Sequence, residues 1–73
     1  MKKKFIKREK LKEFRIGKKL TQTEMAKVLE ISQIQYQYIE LGYRNPSFEV
    51  LEKFKKKYPE SKVDEIFLST NIT

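Results

Sequence analysis

Thr21 to Asn45 reads TQTEMAKVLEISQIQYQYIELGYRN, and its reading decides the fold. Thr21 is a good N-cap and Glu24, three residues on, completes a capping box, so a helix begins here. Met25, Ala26 and Leu29 form its apolar face, and Ala26 is small enough to admit a close neighbour. Glu30 to Ser32 form a turn, and Ser32 caps a second helix with Tyr36 and Ile39 turned inward. The segment IQYQYI competes as a strand, because it alternates apolar with polar and is rich in strand formers. A lone strand needs a partner, and no other stretch alternates convincingly, so two short helices joined at a steep angle are expected.

The flanks are helical by the same logic. Leu11 and Phe14 give Met1 to Lys18 an apolar stripe that Phe5 and Ile6 extend, with Gly17 and the lysine pair marking its end. Arg15 falls on the inner side of that helix and requires a carboxylate there. Phe48, Leu51, Phe54 and Tyr58 recur at helical spacing, opened by Pro46 and Ser47 and closed by Pro59. Val63, Ile66 and Phe67 make a last short apolar face.

Composition bounds the rest. At 73 residues the chain supports one core, so a single domain over 1–73 is expected, with a basic tail at 1–4 and a polar tail at 69–73 fraying. With no cysteine or histidine it has neither a disulfide framework nor a Cys/His zinc site, and it lacks the usual bases and nucleophiles of an enzyme; no cofactor or metal is expected. No apolar run is long enough to span a bilayer and no secretory h-region follows the basic start, which predicts a cytoplasmic protein without a membrane partner. Seventeen Lys and Arg against ten Asp and Glu give a net charge of +7, which suits either a polyanionic partner or a solvated lysine-rich surface.

The stretches LTQTEMAKVLEIS and YIELGYRNPS, in register, resemble the lambda-repressor-like (Cro-type, XRE) helix-turn-helix DNA-binding family. The resemblance rests on Thr21, Gln22, Ala26, Ser32, Ile39, Glu40, Gly42, Arg44, Pro46 and Ser47, and it covers Leu11 to Phe67. It implies an all-α, five-helix domain with a central helix-turn-helix, the fourth helix over Ser47 to Tyr58 and the fifth over Val63 to Leu68. It also pairs Arg15 with Glu40. Three positions depart from the family pattern. Glu30 stands where the turn usually has glycine and would need positive φ, Lys55 replaces a small residue and would snorkel outward, and Lys62 replaces the serine that caps the fifth helix, leaving Ser61 to do so one position early.

The function implied is a sequence-specific regulator of transcription binding double-stranded DNA, a repressor acting as a homodimer on a palindromic operator with half-sites roughly 34 Å apart. Gln33, Ile34, Gln37 and Tyr38 form one outward surface for base reading, with Gln33 suited to adenine N6 and N7. Ile34 is either a thymine-methyl contact or a satellite of the core. Gln22, Gln35, Tyr43, Arg44, Asn45, Lys18 and Lys19 are phosphate candidates, although any single lysine is more often solvated than bound. Ile66, Phe67, Leu68 and Ile72 are candidates for a dimer interface or for a protein partner, as in an antitoxin-like interaction module that also binds DNA. Binding of single strands through the four tyrosines is the remaining alternative.

Overall fold

The computed structural model describes residues 7–67, which form five helices: α1 Glu9–Gly17, α2 Gln22–Leu29, α3 Gln33–Leu41, α4 Phe48–Lys57 and α5 Val63–Phe67. The IQYQYI segment is therefore helix, and its alternation is overridden by the capping at Ser32. Leu68 and Ile72, and the Phe5 and Ile6 extension of the first stripe, lie outside the described residues.

Three helices start on hydroxyl caps. Thr21 and Glu24 exchange backbone and side-chain bonds at 3.1 and 2.8 Å, and Ser32 and Gln35 do the same at 3.1 Å each. The Ser47 Oγ accepts from the Val50 amide. Three helices also end alike, each with a left-handed residue whose amide and the next one turn back to the last carbonyls: Lys19 and Leu20 on Ile16 and Arg15, Glu30 and Ile31 on Lys27 and Ala26, and Gly42 and Tyr43 on Ile39 and Tyr38. Glu30 takes the expected positive φ of 60°. Lys19 takes the same value at a strain of about 1 kcal/mol, so the left-handed end of α1 falls on a lysine and not on Gly17.

Gly17 is the last helical residue of α1, and a Cβ built on it meets nothing within 4 Å. Its freedom is unused. Gly17→Ala should therefore raise stability by about 0.5–1 kcal/mol, read as a shift of the urea midpoint at constant m.

The core comprises Leu11 of α1, Met25, Ala26 and Leu29 of α2, Tyr36 and Ile39 of α3, Val50, Phe54 and Tyr58 at α4, and Phe67 of α5. Helix α2 lies against α3 and α4, while α1 packs on α3 and α5. Phe54 is the aromatic centre, with ring centroids 5.1 Å from Phe14, 5.3 Å from Tyr58 and 4.8 Å from Phe67. Two expectations are corrected. Phe67 was expected at a dimer surface and is 1% exposed inside this cluster, whereas Phe48, expected on the inner stripe of α4, is 74% exposed at that helix's first position. The buried stripe of α4 begins at Val50, two residues on, and continues through Phe54 to Tyr58.

Ser61 does not cap α5. Its hydroxyl donates to the Tyr58 carbonyl at 2.6 Å and closes the end of α4, and the Lys55 ammonium reaches the Ser61 carbonyl at 3.1 Å. The carbonyl of Lys62 then receives two amides of α5, those of Glu65 and Ile66.

Candidate nucleic-acid interface

Two helices set the site, and a buried polar knot ties them to each other and to α1. The Arg15 Nε donates to Glu40 Oε2 at 2.8 Å, Tyr36 Oη donates to the same oxygen at 2.7 Å, and Gln22 Nε2 donates to Glu40 Oε1 at 3.0 Å. A further Arg15 bond reaches the Leu20 carbonyl at 2.8 Å. The knot thus joins the end of α1, the start of α2 and the interior of α3. Among the described residues no buried side-chain nitrogen or oxygen lacks a partner, which is the condition for a buried ion pair to be tolerated.

Electrostatics follow from this geometry. Burial works to raise the Glu40 carboxyl, but hydrogen bonds from Arg15, Tyr36 and Gln22 and the Arg15 charge outweigh it and hold it below the usual carboxylate range. The Tyr36 phenol is pushed up, first by burial and then by its bond to the Glu40 carboxylate, so it remains a donor. Arg15 is raised chiefly by its bond to Glu40.

Helix α3 carries Gln33 and Ile34 at its start and Gln37 and Tyr38 one turn on. Ile34 is 60% exposed, which rules out its reading as a satellite of the core. Gln33 and Tyr38 are exposed and Gln37 is half-buried. The two glutamine amides make no hydrogen bond among the described residues, so their donor and acceptor pairs are available to base edges. Tyr38 lies against Tyr43 with centroids 5.7 Å apart, joining the outward face of α3 to the following loop.

The phosphate candidates differ in how much of each side chain the fold already uses. Arg44 is exposed, and its guanidinium bonds nothing among the described residues; Lys19 is likewise exposed. Gln22 spends one amide hydrogen on Glu40 and keeps the other at the start of α2, beside that helix's positive end. Gln35 is a capping residue, its Oε1 accepting from the Ser32 amide, a role that the spacing Ser32-x-x-Gln35 makes legible in the sequence. Lys18 lies over the Phe14 and Tyr58 rings at 5.4 and 5.2 Å and 3.8 Å from Glu60, on the seam of α1 with the end of α4. Ile66 is half-buried against the core.

One polar residue was missed altogether. Arg8, just before α1, donates from Nε to the Phe67 carbonyl at 2.9 Å, from Nη1 to the carbonyls of Ile39 at 2.7 Å and Arg44 at 3.1 Å, and from Nη2 to Asn45 Oδ1 at 2.9 Å. Burial lowers its pKa from the ordinary arginine value. No sequence signal marks it among the basic residues of the N-terminus, because its partners lie on three distant elements.

The pattern of the helix-turn-helix family, in its lambda-repressor-like form, matches residues 11–65, which contain α2, α3 and the knot between them. The chain belongs to that family. No curated protein and no solved structure matches it significantly. As a helix-turn-helix protein it is a DNA-binding regulator, built from five helices with no strand among the described residues. No helix among those residues is long and apolar enough to cross a membrane.

Proposed function

We propose that the chain is a sequence-specific repressor of transcription that reads the major groove with α3 and binds a palindromic operator as a dimer. The observation that carries this reading is the outward face of α3, where Gln33, Ile34, Gln37 and Tyr38 stand together and two side-chain amides have no partner among the described residues. A glutamine amide matches the paired acceptor and donor of adenine, and an exposed aliphatic side chain beside it matches a thymine methyl. Gln22, Arg44, Asn45 and Lys19 are proposed as phosphate contacts that set the register of α3 in the groove, with Tyr43 supporting the loop through Tyr38. The net charge of +7 adds a sequence-blind attraction.

Selection of bound sites from random duplexes tests specificity and symmetry together. A recovered motif with two-fold symmetry supports the dimer, a one-sided motif overturns it, and an unenriched pool overturns sequence reading. On the recovered site, Gln33→Ala should cost about 1–3 kcal/mol while leaving binding to random duplex nearly unchanged. Arg44→Ala should instead weaken both duplexes alike and make the slope of log K against log salt shallower by about 0.9. Equal losses for Gln33→Ala on both duplexes, or relaxed preference at one base pair for Arg44→Ala, would reverse the sorting of contacts.

A further inference from the structure

Arg8 touches none of the proposed base-reading residues, yet its guanidinium commits four of five N–H groups to acceptors on three elements. Its main-chain amide adds a fifth bond, to the Glu40 carbonyl at 2.9 Å. Ile39 and Glu40 belong to the last turn of α3, so the guanidinium joins the Gly42 amide on the Ile39 carbonyl, the main-chain amide of Arg8 takes that of Glu40, and the cation lies at the negative end of the helix dipole. Arg44 and Asn45 belong to the α3–α4 loop, and Phe67 ends the described part of α5. The family pattern begins at residue 11 and stops at residue 65, so both Arg8 and Phe67 lie outside it.

We infer that Arg8 is a positioning residue of the DNA interface, holding the α3–α4 loop where Arg44 and Asn45 meet phosphates. The inference rests on the DNA-binding reading above. Among the described residues, the bond from Arg8 is the one that orients the Asn45 side chain; it occupies Oδ1 and leaves the NH2 group as a phosphate donor. Arg44 is held at its carbonyl by Arg8, and its amide turns back to Tyr38, while its guanidinium stays unengaged within the described chain. A lysine cannot replace this clamp, because one ammonium cannot span a planar fork of acceptors on three elements.

Arg8→Lys separates clamping from charge. Dissociation constants for the selected duplex and a random duplex are measured over a salt series for the wild type, Arg8→Lys, Arg44→Ala and the double variant, each first shown to be helical by circular dichroism. Arg8→Lys should lose roughly tenfold in affinity on both duplexes, and its salt slope should become shallower by about 0.9 although the charge is kept, because Arg44 no longer meets its phosphate. Added to Arg44→Ala, it should cost far less than tenfold. An unchanged affinity and slope, or the full loss in the Arg44→Ala background, overturns the proposal. If Arg8→Lys does not fold, Arg8→Gln is read in the same way for affinity and for the double-variant comparison. A wild type that binds no duplex overturns the DNA reading itself, whereas a wild type that binds as well as a folded Arg8→Lys overturns the clamp alone.

Discussion

Glu40→Ala should destabilise the chain by about 3–5 kcal/mol, and Arg15→Ala by a similar amount. Truncating Glu40 leaves the Arg15 guanidinium buried without a counter-charge and removes the acceptor of both Tyr36 and Gln22. A domain of this length holds only about 4–11 kcal/mol in all, so either variant approaches unfolding at 25 °C. The double variant should cost little more than either single one, since most of each loss is the stranding of the other charge; urea titration of the three variants reads this directly. Losses that add in full would show two independent residues.

The same knot gives a pH dependence with a definite sign. The Glu40 carboxyl is lower in the folded chain than its ordinary value, so the unfolded chain binds the proton more readily. Its contribution is present above the unfolded value of about 4.3 and is lost as pH falls through the folded one. Wild type should therefore lose stability relative to Glu40→Gln on acidification below about pH 4, and the two should run parallel at neutral pH.

Phe67→Ala is expected to lower stability by about 3–5 kcal/mol at any chain concentration. The ring packs edge-on against Phe54 and is 1% exposed, so its removal leaves a cavity inside one chain. A residue at a dimer interface would behave otherwise, with a loss that grows on dilution. Thermal midpoints at two concentrations a hundredfold apart separate the cases, and a loss confined to the dilute sample would return Phe67 to an intermolecular surface. The more exposed apolar surface lies elsewhere, on Phe48 beside half-buried Leu51 and Val63, which line a groove of about 560 Å³ between α4 and α5.

These two variants mark different depths of legibility. Arg15 and Glu40 lie 25 residues apart, yet helical periodicity turns both inward and the family register pairs them, so their meeting is legible in the sequence. Phe67 was ambiguous: an apolar residue near the end of a short helix suits an inner face or a partner equally, and spacing does not say which. Gln35 is legible as a cap, because the pattern Ser32-x-x-Gln35 is local; its Oε1 is used in the cap and its NH2 group is left to donate.

By itself the sequence determined where α2, α3 and α4 begin, through Thr21, Ser32 and Ser47, while the left-handed Glu30 at the central turn followed from the family register. Such signals act within one helical turn, so neighbouring residues suffice to write them. Only the tertiary structure decided that Phe67 fills the core, that Lys18 is drawn to the seam of α1 with the end of α4, and that Arg8 ties the loop after α3 to a carbonyl 59 positions away. Those outcomes depend on which backbone groups and rings packing brings within a few ångströms, and no spacing along the chain encodes that distance.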